Sequence, residues 1–252
     1  MAEREEQGAV VLPDRPAEEL IREGAESLGI PVGPGELGQY AAYVRELLDW
    51  NQRMNLTAVT DAREIAVKHI LDSLTCFLAV SAGKGVRVLD IGTGAGFPGM
   101  VLKIHAPETP LTLLDSTRKK LDFLEHLAKA LGLSGVETLH ARAEDAGRDR
   151  RYRERFDLVT ARAVAELRVL LELCLPFVRV GGLFLAMKGP RGDEEVGPAK
   201  RALSLLGGEI ERVIPFSLPF GAGERRLILV RKRRPTPAAY PRKAGTPSRA
   251  PL

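Results

Sequence analysis

Residues 86–99, Val-Arg-Val-Leu-Asp-Ile-Gly-Thr-Gly-Ala-Gly-Phe-Pro-Gly, run from a short aliphatic segment through one acid into a glycine-rich turn. Glycine lets the backbone turn tightly, and it lets a ligand approach the main chain without a Cβ in the way. Pro98 suits the first turn of a following helix, where its missing N–H costs nothing. The segment therefore predicts a strand, a ligand-binding turn and a helix.

Short aliphatic runs alternate with amphipathic segments after this turn. Continuous aliphatic strands that alternate with helices indicate a parallel sheet covered on both faces. The predicted strands span residues 86–89, 111–114, 136–140, 156–160 and 183–187, and the predicted helices run to residue 105 and over residues 118–131, 167–178 and 194–206.

The last two predicted strands, residues 209–216 and 225–232, break this order, because only the Pro/Gly-rich residues 217–223 separate them. So short a link makes the pair antiparallel. Five α/β units closed by a terminal antiparallel hairpin predict an α/β fold with a seven-stranded sheet. This layout is typical of Rossmann-like, class I S-adenosylmethionine-dependent methyltransferases.

The residues before the glycine-rich turn predict helices. Residues 17–29 and 35–54 carry apolar side chains at helical spacing, and Asp61 to Glu64 has the form of a capping box that opens another helix. Residues 1–16 are predicted to be disordered. The predicted organisation is an N-terminal helical extension over residues 1–80, a methyltransferase domain over residues 81–232 and a basic Pro/Gly-rich tail over residues 233–252.

The formal net charge of +4 is distributed unevenly along the chain. Residues 231–252 carry seven Lys or Arg and no Asp or Glu. Such a tail predicts either a polyanionic partner or a merely solubilising segment. No apolar run is long enough to span a membrane, and the acidic residues 1–6 have no apolar stretch behind them, which predicts a cytoplasmic protein. Cys76 and Cys174 lie in apolar context and predict free, buried thiols.

The glycine-rich turn leaves two cofactors open. Gly94 to Gly99 matches the dinucleotide fingerprint, and Asp115 follows Gly94 by 21 residues, so an NAD(P)-dependent oxidoreductase is an alternative. Against it, Asp90 at the strand end would repel a pyrophosphate but can pair with the ammonium of a methionine moiety. The terminal hairpin does not extend a dinucleotide-binding sheet either. A P-loop is excluded because no Gly-Lys-Ser/Thr follows the glycines.

Further candidate ligands follow the other predicted strands. Asp115 is placed to accept hydrogen bonds from both hydroxyls of a ribose. Ser116 and Thr117 either contact a ligand or cap the next helix. Residues 143–145 stand where contacts to adenine are expected. Arg162 follows the fourth strand, where open α/β sheets bind ligands, although an ion pair is the alternative role.

The absence of two catalytic motifs limits which atom of a base the chain can methylate. Methylation of a pyrimidine carbon needs a cysteine nucleophile, and neither Cys76 nor Cys174 lies near a predicted strand end. Enzymes that methylate exocyclic amines usually carry Asp/Asn-Pro-Pro-aromatic after the fourth strand, where this chain has residues 160–164, Thr-Ala-Arg-Ala-Val. The N7 of guanine needs no general base, because its lone pair is already nucleophilic. No catalytic residue is assigned.

Several motifs along the chain together resemble the bacterial ribosomal RNA small-subunit methyltransferase G family, also called glucose-inhibited division protein B. The resemblance spans residues 35–252, and the departures are Thr93, where serine is common, and residues 1–34, which lie outside it. The motifs are Trp50-Asn51-x-x-x-Asn55-Leu-Thr-Ala, His69-x-x-Asp72-Ser-Leu, Asp90 to Gly99, Ala161-Arg162-Ala163, Lys188-Gly189 and the tail Tyr240 to Leu252.

This resemblance implies methylation at N7 of one guanosine in the 530 loop of 16S ribosomal RNA, with S-adenosylmethionine as the methyl donor. It implies 16S ribosomal RNA or an assembling small subunit as the partner. A non-catalytic RNA-binding factor on the same fold is a further alternative. With the residues discussed above, the predicted cofactor-binding set is Asp90, Gly92, Gly94, Phe97, Asp115, Ser116, Thr117, Ala143, Glu144 and Arg162.

The RNA-binding candidates follow from charge and position. Basic residues among prolines and glycines can follow a phosphate backbone. Residues 51–55 hold both asparagines of the chain, which predicts either a specific hydrogen-bonding task or turn-making. The histidines and cysteines show no metal-ligand spacing, and no metal, membrane or obligate protein partner is predicted. The RNA-binding candidates are Asn55, Arg118, Lys188, Arg242, Lys243 and Arg249.

Overall fold

The computed structural model describes residues 12–252, and one seven-stranded sheet forms its centre. The strand order is β3-β2-β1-β4-β5-β7-β6, and β1 to β5 are parallel. The predicted α/β fold is therefore confirmed. The strands are β1 (Val88–Ile91), β2 (Leu111–Asp115), β3 (Val136–His140), β4 (Phe156–Arg162), β5 (Val178–Lys188), β6 (Gly208–Ser217) and β7 (Glu224–Lys232).

The strand order reverses between β1 and β4. From β1 the chain first builds outward to β2 and β3, and it then returns to place β4 on the other side of β1. All residues of β1 and β2 are buried, as expected for central strands covered on both faces. Ligands of open α/β sheets bind outside the carboxyl ends of the strands at such a switch point.

The terminal hairpin completes the sheet in the predicted antiparallel sense. β7 inserts between β5 and β6 and is antiparallel to both. Because β7 runs against β5, its first residues lie beside the last residues of β5, and Arg226 pairs with Lys188. The insertion therefore brings basic residues from the hairpin to the carboxyl ends of the parallel strands.

Two layers of helices cover the sheet, each with its own apolar core. The first layer includes α1 (Ala17–Ser27), α2 (Pro34–Met54), α3 (Ala62–Ile65), a π-helical turn (Ala66–Leu71), α4 (Asp72–Leu74), a 3-10 turn (Thr75–Leu78), α5 (Gly99–His105) and α6 (Arg118–Ala130). The second includes α7 (Ala143–Ala146), α8 (Leu167–Cys174), α9 (Lys200–Leu206) and α10 (Thr246–Arg249).

The N-terminal helices pack directly on the elements that follow the glycine-rich turn. Asp61 caps α3 by accepting from the N–H groups of Arg63 and Glu64 at 2.9 and 3.1 Å. The hydroxyl of Tyr40 in α2 donates to the carbonyl of Val101 in α5 at 3.4 Å. Residues 17–80 and the sheet thus share one core, which couples this helical layer to the ligand-binding turn.

Two predicted helices are shorter than expected. The helix predicted over residues 167–178 ends at Cys174, because Pro176 cannot continue it, and Val178 already belongs to β5. The helix predicted over residues 194–206 is a 3-10 turn, Gly192–Glu195, and a separate helix from Lys200. Residues 197 and 198 between them are Gly and Pro, which interrupt helices.

The disorder predicted for residues 1–16 falls partly outside the described residues, which begin at Leu12. Residues 12–16 are irregular but in contact with the body, and Arg63 donates to Asp14 at 2.9 Å. Both cysteines are free and buried. Within residues 12–252, no helix combines the length and apolarity that crossing a bilayer requires.

Candidate active site

The glycine-rich turn between β1 and α5 has a backbone that glycine adopts most readily. Gly92 and Gly96 have φ angles of +67° and +101°. A Cβ on Gly96 would lie 2.5 Å from the hydroxyl oxygen of Tyr43. That hydroxyl donates to the carbonyl of Ala95 at 2.6 Å, so α2 holds the turn in a fixed shape.

Asp90 is fully buried at the end of β1. Its Oδ2 accepts the N–H of Gly99 at 3.1 Å, and its Oδ1 accepts the hydroxyl of Thr160 at 3.0 Å. Burial raises the pKa of this carboxyl to about 6, although these hydrogen bonds favour the charged form. The sequence predicts that Asp90 pairs with the cofactor ammonium; in the structure this side chain is enclosed and accepts from the first residue of α5.

Asp115 ends β2 and is nearly buried. Its Oδ2 accepts the N–H of Gly94 at 3.1 Å, and its Oδ1 accepts the N–H of Thr117 at 2.8 Å. The carboxylate thus connects the glycine-rich turn to the start of α6. Each carboxylate oxygen has two lone pairs, so Asp115 keeps the capacity to accept two further hydrogen bonds.

A cleft of about 310 Å³ opens at the carboxyl ends of β1, β2 and β4. Exposed Ser116 and Thr117 form one part of its wall, and the Thr117 side chain makes no capping hydrogen bond to α6. Gly94, Phe97 and Arg162 are not among the lining residues. The predicted residues that the cleft brings together are Gly92, Asp115, Ser116, Thr117, Ala143 and Glu144.

Phe97 lies behind the turn in a cluster of stacked side chains. Its ring is parallel to that of Tyr43, with centroids 4.9 Å apart, and its centroid is also 4.9 Å from that of His69. The guanidinium carbon of Arg162 lies 5.2 Å from the Phe97 centroid. Phe97 therefore joins the turn, α2 and β4, and it supports the cleft from behind.

Arg162 is held by the N-terminal helical layer. Its Nη1 donates to Asp72 Oδ2 at 2.7 Å and to the carbonyl of Lys68 at 3.1 Å. The other carboxylate oxygen of Asp72 lies 3.3 Å from Nε of Arg225, which comes from β7. The ion pair predicted as the alternative role of Arg162 is thus present. The buried carboxylate of Asp72 pairs with arginines from both β4 and β7.

His69 is neutral near pH 7. Burial and the neighbouring Arg162 guanidinium lower the pKa of its imidazole to about 4. Nδ1 lies 3.0 Å from the carbonyl oxygen of Lys68 and 3.4 Å from Nη2 of Arg162. Nε2 lies 3.0 Å from the hydroxyl of Thr57, so both ring nitrogens have hydrogen-bond partners.

A second cavity, of about 370 Å³, adjoins the cleft. Both are lined by Ala163, whose φ of +54° is unusual for a residue with a side chain and costs about 1 kcal/mol or more. Strain of this kind concentrates at functional sites. The ionisable lining residues of the second cavity are Lys68, His69, Asp72, Arg162, Lys188, Arg225 and Arg226.

Sequence reasoning missed Lys68, Arg225 and Arg226 as site residues. The predicted hairpin could have indicated Arg225 and Arg226, because an antiparallel final strand begins at the edge where the parallel strands end. Nothing in the local sequence marks Lys68, which follows Glu64 by one helical turn and pairs with it at 2.6 Å.

The RNA-binding candidates divide by position. Lys188 lines the second cavity, and its Nζ donates to the carbonyl of Ala165 and pairs with Glu195. Arg118 is exposed and donates to Asp122 at 2.7 Å. Asn55 has a left-handed φ of 49° and ends α2, which is a capping role. Lys243 and Arg249 lie on the C-terminal segment outside both cavities.

Asn51 also has a turn-making role. Its side chain donates to the carbonyl of Thr57 at 3.0 Å and accepts the Thr57 N–H at 2.9 Å. Since the Thr57 hydroxyl in turn hydrogen-bonds to His69, the asparagine supports the wall of the second cavity. The capping and turn-making interpretation of residues 51–55 therefore agrees with the structure.

The tail is docked on the second helical layer. Arg242 forms three side-chain hydrogen bonds to the carboxylate of Glu172, the shortest at 2.6 Å, and its backbone N–H donates to the same carboxylate at 2.7 Å. The Glu172 side chain is 1% exposed. The sequence predicts that Arg242 meets phosphates; in the structure its partner is the buried carboxylate of Glu172, which requires such a partner.

The charges around the turn do not suit a pyrophosphate. Dinucleotide sites place that group on free N–H groups at the start of the helix. Here Asp90 accepts the N–H of Gly99, and Asp115 accepts the N–H of Gly94. Two carboxylates would repel the phosphates. Asp115, which lines the cleft, suits a cofactor that offers ribose hydroxyls and carries no phosphate beside the turn.

A family model described as rRNA small subunit methyltransferase G matches residues 36–227. A ribosomal RNA small subunit methyltransferase G from Symbiobacterium thermophilum is 50% identical over 92% of this chain and 97% of its own length. Its counterpart from Moorella thermoacetica is 47% identical over 94% of this chain and 99% of its own length. Both relatives are thus matched along nearly their whole length.

Solved structures bear out the fold. Cofactor-bound Rv0187 from MTB superposes with a TM-score of 0.55 at 21% identity, over 78% of this chain and 90% of that one. TrmN from Thermus thermophilus superposes with a TM-score of 0.50 at 23% identity, over 65% of this chain and 48% of that one. At such low identity the likeness concerns the fold alone, the class I methyltransferase fold.

Proposed function

The chain belongs to the rRNA small subunit methyltransferase G family, and on this premise we propose that it methylates N7 of one guanosine in the 530 loop of 16S ribosomal RNA. The methyl donor is S-adenosylmethionine. The observation that carries the proposal is that Ala163 lines both the cleft and the second cavity, so the two spaces meet at this residue. A methyl donor in the cleft and an acceptor base in the second cavity would meet at Ala163, which suits direct transfer of the methyl group.

The cleft residues would hold the cofactor, which supplies an electrophilic methyl group when bound. Asp115 is the acceptor for the ribose hydroxyls, and Glu144 is an acceptor for a donor of the adenosine. Gly92 has no Cβ, and one added there would lie 2.7 Å from Cγ2 of Val164, which also lines the cleft. Phe97 and Arg162 do not line the cleft; they pack against each other beside the turn and hold its shape.

The second cavity is the proposed pocket for the target base. The N7 lone pair of guanine attacks without losing a proton, so no general base is required. A neutral His69 that already hydrogen-bonds to Lys68 and Thr57 is consistent with this chemistry. Arg225 and Lys188 provide donors of the kind that guanine O6 and phosphates accept.

RNA around the target base meets a cationic surface beside the cofactor cleft. Lys243 and Arg249 lie on the docked C-terminal segment, and Arg142 lines both the cleft and a depression that it shares with Arg249. Each phosphate neutralised by such a cation strengthens binding at low salt. We infer that the substrate is 16S RNA within an assembling small subunit, and that the enzyme works in the cytoplasm, where that assembly takes place.

The test is methyl transfer from labelled cofactor to free 16S RNA, to partly assembled subunits and to mature subunits, followed by mass-spectrometric mapping. We expect one 7-methylguanosine in the 530 loop, with partly assembled subunits as the best substrate. Arg225→Ala is expected to reduce incorporation at least tenfold, whereas Arg179→Ala, which removes an exposed arginine paired with Asp157, is expected to leave it unchanged. Label on another atom or another loop would overturn the assignment.

Two rival functions give different outcomes. An NAD(P)-dependent oxidoreductase would bind NADH and not S-adenosylhomocysteine in calorimetry, and we expect the reverse. A non-catalytic RNA-binding factor would bind 16S RNA without any incorporation of label. Calorimetry and incorporation together therefore distinguish the three classes.

A further inference from the structure

The C-terminal segment, residues 233–252, returns across the helical layer that carries α7 and α8. Arg148, just after α7, donates to the carbonyl of Pro241 at 2.9 Å. Arg153 donates to the carbonyls of Thr236 at 2.7 Å and Tyr240 at 2.8 Å. These bonds satisfy backbone carbonyls that would otherwise need solvent, and they attach the segment to the residues beside the cleft.

Arg242 is the strongest attachment point. Its partner Glu172 lies on α8 with a side chain that is 1% exposed, and the Arg242 guanidinium also donates to the carbonyl of Ala250 at 2.9 Å. Removal of one member of such a buried pair leaves an uncompensated charge. The pair therefore fixes both the segment and the course of its last residues.

Three residues beyond Arg242, the N–H of Gly245 donates to Oε1 of Glu144 at 2.8 Å. Gly245 has a φ of +79°, a conformation that aims this N–H and that favours glycine. Glu144 is 9% exposed and lines the cleft. Within residues 12–252, no hydrogen bond to its Oε2 is present, so that oxygen is free to accept from a ligand.

We propose that the C-terminal segment is a positioning element for cofactor binding. Arg242, held by Glu172, places the Gly245 N–H on one oxygen of Glu144, and the other oxygen then accepts from the exocyclic amine of the cofactor's adenine. Arg242 and Gly245 are positioning residues, since they act through Glu144. The inference rests on the proposed function in one respect, which is that the cofactor occupies the cleft.

The test is calorimetric binding, to the full chain, of S-adenosylhomocysteine and of its purine analogue, in which hydrogen replaces the exocyclic amine of adenine. The wild-type protein is expected to prefer the adenine ligand. Arg242→Ala is expected to weaken S-adenosylhomocysteine about tenfold and to leave the purine analogue within about twofold, because one hydrogen bond to a charged acceptor is lost from only one complex. Arg233→Ala removes an exposed arginine from the same segment and is expected to change neither affinity.

Equal weakening of both ligands by Arg242→Ala would overturn the proposal, because it would mean a general distortion of the cleft. Unchanged binding of both ligands would overturn it as well. If Arg242→Ala does not fold, Arg242→Lys keeps the charge but loses the paired geometry, and the same loss of preference is expected. If the cofactor does not occupy the cleft, which is the part of the proposed function used here, the wild-type protein would bind neither ligand. If only the target nucleotide is wrong, the mapped methyl group changes and these affinities do not.

Discussion

Arg162 donates to Asp72 at 2.7 Å across 90 residues of sequence, and this bond joins the end of β4 to the helical layer that precedes the sheet. The bond lies in the wall of the second cavity, beside the junction with the cofactor cleft. Arg225 reaches the other oxygen of the same carboxylate. The shape of the proposed base pocket therefore depends on a single acid from the N-terminal helices.

Asp72→Asn is expected to lower the free energy of unfolding by about 2–4 kcal/mol, because two guanidinium groups lose the charge that compensates them. Methyl transfer to RNA should fall more than S-adenosylhomocysteine affinity does, since Asp72 lines the base pocket and not the cleft. Denaturant titration and calorimetry measure the two effects. Asp49→Asn, on an exposed acid paired with Arg53, is the matched control. Loss of cofactor affinity equal to the loss of turnover would contradict this assignment.

Asp115→Ala should weaken cofactor binding by ~1–3 kcal/mol, because the ribose hydroxyls lose their acceptor and Gly94 loses the carboxylate that its N–H bonds. Isothermal calorimetry with S-adenosylhomocysteine measures the change. Asp122→Ala removes an exposed acid from α6 and should not alter affinity. An Asp115 variant that binds as tightly as the wild-type protein would remove this acid from the site.

His69 should contribute to the pH dependence of stability. Its folded pKa of about 4 lies below the ordinary value of 6.5, so the unfolded state takes up a proton first as the pH falls. The stabilisation is complete above pH 6.5 and is lost as the pH falls from about 6.5 to about 4, with a magnitude of about 2–3 kcal/mol.

Urea titrations of the wild-type protein and of His69→Gln at several pH values isolate this contribution from other groups, Asp90 included. Burial raises the folded pKa of Asp90 to about 6, so that group has the opposite sign in the overlapping range. The difference in stability between wild type and variant should shrink as the pH falls. A difference independent of pH would mean that His69 is not held neutral.

Gly96→Ala should destabilise the protein by about 2–4 kcal/mol, because the new Cβ would meet the Tyr43 hydroxyl at 2.5 Å in a backbone conformation with φ of +101°. Gly132→Ala is the matched control. Gly132 also has a positive φ, but nothing lies within 4 Å of its added Cβ, so only about 1 kcal/mol of backbone strain is expected. Thermal unfolding compares the two variants, and equal destabilisation would show that α2 does not press on the turn.

Arg249→Ala should reduce the salt dependence of RNA binding by about one phosphate contact, without a change in sequence preference. Filter binding over a range of salt concentrations gives the slope. Arg151→Ala, on an exposed arginine already bonded to Asp149, should leave the slope unchanged. Identical slopes for wild type and Arg249→Ala would show that this part of the C-terminal segment does not meet the RNA.

The order of helices and strands, the parallel sheet and its antiparallel ending were all predictable from the sequence, because these features depend on local patterns. The period of apolar side chains distinguishes helix from strand, and the length of a link limits how two strands can pair. The same reasoning placed Asp115 at the end of β2 and Glu144 just after β3 on one edge of the sheet, since the carboxyl ends of parallel strands meet there.

Only the tertiary structure decided which charges meet. Asp90 accepts from Gly99 and Thr160, Arg242 pairs with Glu172, and Asp72 joins Arg162 to Arg225. The partners of each ion pair are about 70 to 150 residues apart in the chain, and no local pattern records which of many acids a given arginine will meet. Burial selects them, because a charge enclosed by packing must find a partner among whatever side chains the fold brings beside it.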